Sequence, residues 1–480
     1  MKEDNSNMTT GPIASKLIRF AIPILLSNLL SQLYVIVDSL VISNCIGDAG
    51  LAAVTNCINL AWMITSLFFG MGMGISVVVS QAYGAKRYEW LTRCVHTAVA
   101  VSLIVGIVIA LASPLISQTL LIWIQTPVDV LGASTEYLTI YLFGVIGTML
   151  TYSCIDVLQA MGDSKRPFYV MAFSTVTNVV LDLLFVAVLN WGIPGAAWAT
   201  VLAIYLGAIV SVILLCRAEG PHQLHLTRLR IHKDSLAAIL NMGIPTGIEN
   251  CAVSLANTIV QASVNSFGTT VMTAIGATAS IEGFAFLPMT AFSNALGTFT
   301  GQNVGADQEE RTRKGIRFGI VAMVILSFSI GLLLMALARP GIMMFSRSED
   351  VIAYGVRRMI LVCGFYPLCG LTHCYAAAFR GTGKPMIPMA AYLGFWCGLR
   401  ILILLGVLPF WHSFDLLALV YPITWAGSAI TEWAFYRWYP WFPSKKKLET
   451  KEEQEVLQEQ MDILREEGLM GMENEESPIV

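Results

Sequence analysis

Two carboxylates stand where carboxylates are costly. Asp38 sits in QLYVIVDSLVIS (residues 32–43) and Asp182 in NVVLDLLFV (residues 178–186). Both runs are otherwise apolar, and a carboxylate at the centre of a bilayer-spanning helix costs about 2.5–3.5 kcal/mol on insertion scales. Asn178 lies one turn from Asp182 on the same helical face. Thr200 closes GIPGAAWAT (residues 192–200), one turn after Ala196. Two Asp, an Asn and a Thr at one depth can coordinate a hard cation through oxygen. They can equally hold a proton, because two carboxylates in a low-dielectric site repel and one of them keeps its hydrogen. A third reading is a polar network that only locks helices together, as Asn and Thr often do in membranes.

The elements that must position these groups are long and apolar. Hydrophobic residues make up 56% of the chain, charged residues 13%, and the mean hydropathy is +0.67. A soluble domain carries about 25% charged residues. Apolar runs recur from Leu17 to Tyr436, each long enough for the roughly 20 residues that a spanning helix needs. They are apolar all round and do not alternate, which excludes strands. The expected fold is an all-α membrane protein with twelve spans near 16–46, 51–82, 93–122, 132–161, 167–190, 195–217, 235–266, 271–302, 313–345, 351–379, 386–409 and 413–438. The first run is too long for a cleaved signal and reads as a retained helix. None of the ten cysteines forms a CxxC pair, so they read as packing residues without disulfides or a metal site. A net charge of −3 gives no reason to expect a nucleic-acid partner.

Lys and Arg concentrate in alternate loops, as in Lys86 and Arg87, Lys165 and Arg166, Arg228 and Arg230, and Arg313 and Lys314. The positive-inside rule then places both termini in the cytoplasm of a cell inner (plasma) membrane protein. By this reading Arg339, Arg347, Arg357 and Arg358 lie outside, Arg380 lies in an inner loop, and Arg400 alone sits within a span. The chain also repeats itself. SQAYGAKR (80–87) recurs as GQNVGADQ (301–308), and QAMGDSKRP (159–167) as RGTGKPMIP (380–388), at an offset of 221 that pairs Gln81 with Gln302 and Gly162 with Gly383. Six spans per repeat give both halves the same orientation, a parallel duplication of the kind that frames a substrate cavity in transporters. The expected divisions are a six-helix lobe over 1–217, a linker over 218–234, a second pseudo-symmetric six-helix lobe over 235–440, and a charged cytoplasmic tail over 441–480.

These motifs together resemble the multidrug and toxic compound extrusion (MATE) transporters, of the prokaryotic DinF-related type, over residues 12–440. The resemblance implies two lobes around a V-shaped cavity. It implies export of cationic or amphipathic compounds by antiport with Na⁺ or H⁺, through alternating access and with no other cofactor. It implies a first-lobe cation site at Asp38, Asn178, Asp182 and Thr200, with a carbonyl from Ala196 and a tyrosine at Tyr34, and a switching role for Pro23. In the family's other prokaryotic branch a glutamate follows the seventh-helix proline by eight residues. Here Pro245 is followed at that spacing by Val253, and Glu249 comes only four residues on.

Glu249, Glu282, Arg400 and Glu432 are the polar candidates of the second lobe, with Arg400 expected to neutralise one of the glutamates. His373 reads as a packed or hydrogen-bonded residue. GTGKP (381–385) lacks the first glycine and the final Ser/Thr of a phosphate loop, so no nucleotide hydrolysis is expected. The six histidines are scattered, and no nucleophile or base cluster suggests an enzyme. The chain is expected to work as a monomer on small molecules within the lipid bilayer. The alternative is a flippase for lipid-linked oligosaccharides from the related superfamily, which would need a cavity rich in cationic side chains for a pyrophosphate headgroup. A single embedded arginine argues for cationic cargo instead.

Overall fold

A computed structural model describes residues 7–443. From residue 444 onward the expected charged tail lies outside the described residues. The described chain is helical, with twelve antiparallel spans. The first half contains α1 (Ile13–Cys45), α2 (Asp48–Gly84), α3 (Tyr88–Trp123), α4 (Val128–Phe143 and Val145–Ala160), α5 (Lys165–Val188) and α6 (Gly192–Cys216). The second half contains α7 (Lys233–Asn265), α8 (Thr269–Gly305), α9 (Glu309–Ala336), α10 (Glu349–Cys363 and Tyr366–Gly381), α11 (Met386–Val407) and α12 (Phe414–Trp438). Because the number is even, α1 begins and α12 ends on one face, here called the terminal face.

The duplication is written into the backbone. α2 and α8 are both 37 residues long and start 221 apart, at Asp48 and Thr269. α4 bends by 41° and α10 by 48°, at breaks that correspond. Gly47 and Gly268 share a left-handed φ of 92° and 86° at the turn into α2 and α8, and Gly162 and Gly383 share φ of 86° and 79°. A side chain at these positions would be strained, so glycine recurs for a conformational reason. α5 and α11 both widen into π-helical turns, at Leu183–Val188 and Tyr392–Leu399.

Nine of the described helices, or eleven spans when the bent pairs are joined, are long and apolar enough to cross a membrane. The remaining span, α7, carries Ser254, Asn257, Thr258, Gln261 and Asn265, all exposed and at helical spacing on one face. A polar stripe of this kind suits a helix that lines an aqueous cleft, and it lowers hydropathy without shortening the helix.

The two lobes meet along a seam built from α1, α2, α7 and α8. Gly70 and Gly74 of α2 pass so close to Gly243 and Gly247 of α7 that a Cβ on Gly70 or Gly74 would run into backbone. Nearer the terminal face, Gly84 packs on the Gln302 carbonyl and Gly305 on the Gln81 carbonyl, again with no room for a Cβ. The same two glutamines complete a pseudo-twofold exchange. Gln81 Nε2 donates to the Gly381 carbonyl at 2.9 Å, and Gln302 Nε2 donates to the Ala160 carbonyl at 2.8 Å.

Each lobe lends its first helix to the other. Leu17, Phe20, Ala21 and Ile24 of α1 belong to the apolar core of the second lobe, whereas Ile42 belongs to a core of the first. Ile239 at the start of α7 packs in turn into a first-lobe core with Val95 and Leu224. A strap at residues 7–11 lies over the seam. Its Met8 is buried, donates its backbone N–H to Gln302 Oε1 at 2.9 Å, and accepts at its carbonyl from Arg311 Nε and Nη2 at 3.2 and 3.1 Å. Arg311 also donates to the Thr10 carbonyl. Hydrogen bonds to a charged group are worth about 1.5–3 kcal/mol. Arg311→Ala should therefore speed amide exchange at Met8 by about tenfold or more, measured by hydrogen exchange with mass spectrometry.

Candidate functional site

The first-lobe residues converge. α1 packs along α5 and touches α6. Asp38 lies seven residues before Cys45 and Asp182 six before Val188, so both sit about 10 Å inside the face opposite the termini. Asp182 is the last residue before the π-helical turns of α5, and such turns often mark functional sites. Asp38, Asn178, Asp182, Ala196 and Thr200 are all buried, with 0% of Asp182 exposed. Tyr34 donates its hydroxyl to Thr200 Oγ1 at 3.3 Å, tying α1 to α6. Asp38 and Asp182 stand close enough to interact directly, and Asn178 adjoins Asp182.

What the pocket lacks is partners. Asp38 Oδ1, both carboxylate oxygens of Asp182, and both amide atoms of Asn178 are buried without a hydrogen bond. Each such atom costs about 1–3 kcal/mol, so five in one place call for a species that the protein itself does not supply. Oxygen donors with excess negative charge suit a hard monovalent cation or protons. Pro23 lies inside α1, within the stretch packed on the second lobe and ahead of the stretch carrying Asp38. Its ring removes one helical hydrogen bond and permits a bend there. Sequence reasoning missed Tyr137 and Tyr141 of α4, which come within electrostatic reach of Asp38. It also missed Asp156, a half-buried carboxylate of α4 set against Gly72 of α2. Its place in TYSCIDVLQA was a readable signal of the same kind as Asp38.

The second lobe differs from the sequence expectation. Arg400 pairs with no glutamate. It donates to Asn257 Oδ1 at 3.3 Å and Thr424 Oγ1 at 3.1 Å, and lies over the rings of Tyr421 and Trp396. The glutamates find other arginines. Arg358 bonds Glu282 at 2.7 Å and also Thr278, and Arg380 bonds both oxygens of Glu249 at 3.0 and 3.1 Å. Arg358 and Arg380, assigned to an outer and an inner loop on charge alone, are buried side chains of α10. Among the described residues the spans therefore hold three buried arginines, not one. Arg380 falls at the end of α10, where helix and loop are hard to tell apart, whereas Arg358 lies inside α10 and was assigned outward on its charge alone. Glu432 is fully buried with both oxygens unpartnered. His373 sits within 3.3 Å of the Tyr392 hydroxyl, a packed, hydrogen-bonded role as expected. His225 stacks on His96 of α3.

The MatE family model matches residues 23–184 and matches again over residues 245–405. The chain belongs to the MatE family. The two matches fall one in each lobe. The Probable multidrug resistance protein YoeA of Bacillus subtilis is 26% identical over 441 residues, which is 90% of this chain and 94% of YoeA. A relative named FAD transporter, from Shewanella oneidensis, is 24% identical over 84% of this chain and 89% of its own length. A solved multidrug resistance MATE family transporter of the MOP superfamily superposes with a TM-score of 0.83 at 19% identity, covering 91% of this chain and 98% of that one. As a MatE protein the chain is a multi-pass membrane transporter of small molecules and not an enzyme. Its second lobe depends on the buried pairs just described. Removing one partner of a buried pair costs about 3–5 kcal/mol. Arg358→Ala should lower the unfolding temperature in detergent markedly, and adding Glu282→Gln should recover part of that loss.

Proposed function

We propose that the protein exports cationic or amphipathic organic compounds in exchange for Na⁺ or H⁺, which binds at Asp38, Asn178, Asp182 and Thr200. The observation that carries this reading is the set of five unpartnered polar atoms on Asp38, Asn178 and Asp182. Tyr34 orients Thr200 toward the pocket, and Ala196 contributes a backbone carbonyl beside it. Charge asymmetry supports a cytoplasmic terminal face, in the plasma membrane, with the carrier working as a monomer. The cation pocket then lies in the outer half, where ions can load from outside.

α1 supplies the link between ion and gate. One end, with Pro23 inside it, packs in the second lobe at the seam, and the other carries Asp38. Filling the pocket removes the repulsion between Asp38 and Asp182 and changes how α1 packs on α5. The exchange of ion for cargo follows if the two ligands favour different seam states. The test is efflux of a fluorescent organic cation from proteoliposomes, with the Na⁺ and proton gradients collapsed separately. Loss of efflux on collapsing one gradient identifies the ion, and efflux indifferent to both refutes the coupling.

A second reading, an anionic aromatic cargo, has one observation in its favour. Among the described residues Arg400 has no acidic partner and lies between aromatic rings, and one relative bears the name FAD transporter. The flippase reading gains less from the added arginines, because Arg358 and Arg380 are each neutralised by a glutamate.

A further inference from the structure

The unpartnered atoms of the Asp38 pocket are mostly acceptors. Between α11 and α12 a set of pure donors stands together instead. Arg400 Nε, Trp396 Nε1 and Trp425 Nε1 are buried without a hydrogen bond. Arginine and tryptophan side chains can only donate. A proton or a cation therefore cannot complete them, and an acceptor must.

The three side chains form one cluster. Trp396 precedes Arg400 by four residues in α11, and the guanidinium carbon lies 5.5 Å from the centroid of its ring. The Trp396 and Trp425 rings are 6.2 Å apart. On α12, Thr424 accepts from Arg400 Nη2 at 3.1 Å, and the Tyr421 ring lies 4.7 Å from the guanidinium carbon. Arg400 is 1% exposed, Trp425 3% and Trp396 8%. α11 is π-helical on both sides of Arg400–Leu402, over Tyr392–Leu399 and Ile403–Val407. Such turns often mark functional sites.

The cluster carries one positive charge too many. Arg358 lies over the same Tyr421 ring at 5.6 Å, and Glu282 neutralises Arg358. Among the described residues no carboxylate pairs with Arg400. The rings attract its charge but supply no counter-charge, and a buried ion needs one. Asn257, which accepts from Arg400 Nη1, is exposed on the polar face of α7, so an ion can reach the guanidinium from the cleft. The donors also indicate the size of the ion. A carboxylate or phosphate is held best by two parallel N–H groups of one guanidinium. Here both terminal nitrogens already serve Asn257 and Thr424. What remains is single N–H groups from three side chains, which suit a spherical acceptor. We propose that Arg400, Trp396 and Trp425 form an anion site in the second lobe that takes a halide-sized monovalent anion such as chloride as the counter-ion of Arg400.

The test is thermal unfolding of the purified carrier in detergent, with sodium and ionic strength held constant while gluconate is exchanged for chloride or bromide. The unfolding temperature of wild type should rise saturably with either halide, and the rise should vanish in Arg400→Gln. Trp425→Phe keeps an aromatic ring but removes one N–H, and should weaken the apparent halide affinity about tenfold. It serves as the deciding variant if Arg400→Gln does not fold. Asp38→Asn should keep the full halide response, so this site and the first-lobe ion reading can fail separately. A wild type indifferent to halide leaves the donors to water and overturns the site. A response unchanged in Arg400→Gln places the anion elsewhere and overturns it too. Unchanged affinity in Trp425→Phe removes the indole from the site. Stabilisation by benzoate but not by chloride assigns Arg400 to the acidic group of a cargo and overturns the halide.

Discussion

Asp38→Asn is expected to abolish gradient-driven efflux, reducing it at least about tenfold, while leaving the protein folded. The substitution is nearly isosteric, and Asp38 Oδ1 has no hydrogen bond to lose. What it removes is the charge that a cation or proton would neutralise. Stability therefore reports binding directly. A ligand at 100 times its dissociation constant stabilises a protein by about 2.7 kcal/mol. Wild type should gain thermal stability on adding the coupling ion, and Asp38→Asn should gain little. Asp182→Asn should behave alike, because both carboxylates share one pocket. Undiminished efflux and an undiminished ion-dependent stability gain in both variants would make the pair a structural lock between α1 and α5.

Gly84→Ala and Gly305→Ala should each prevent the seam from closing, with matching effects. Their Cβ atoms would overlap the carbonyls of Gln302 and Gln81, and backbone cannot step aside as a flexible side chain can. Overpacking of this kind costs about 1–3 kcal/mol, occasionally more. Here it can be escaped only by separating the lobes. Spin labels on the terminal face should report a wider distance, and efflux should fall together with it. Gly276→Ala is the control. It lies in α8 with nothing within 4 Å of an added Cβ and should leave transport unchanged. A normal seam in one variant and an open one in the other would break the pseudo-twofold account.

Much of this was legible in the residues. The spacing of GQNVGADQ from SQAYGAKR announced the two lobes, and the same 221-residue offset governs helix starts, bends and glycine turns. Asp38 and Asp182 were legible because each is alone in an apolar run. Their convergence depended on equal depth, which helical rise supplies. The second lobe was harder to read. Which arginine meets which glutamate depends on the rotation and tilt of α7, α8 and α10, and hydropathy carries no information on either. Arg380 sits at a helix end and Arg358 beside a second arginine, Arg357, so charge alone assigned both to loops, although their side chains are buried. Glu432 was recognisable as embedded, but its lack of a partner could be found only once its neighbours were placed. The strap at Met8 was unreadable, since its partners lie nearly 300 residues away.

That separation bears on how the protein is made. Gln302, Asn303 and Arg311 leave the ribosome long after Met8, so the strap has no docking site until α8 and the start of α9 exist. The same holds for Leu17, Phe20 and Ile24, whose apolar partners belong to the later half. During synthesis the first helix must therefore wait in the bilayer with half its packing surface against lipid. The strap and the start of α1 therefore dock onto α8 and α9, which are made long after them. A truncated product lacking the second half would keep that surface exposed, a mark by which membrane quality control could distinguish it from the finished carrier.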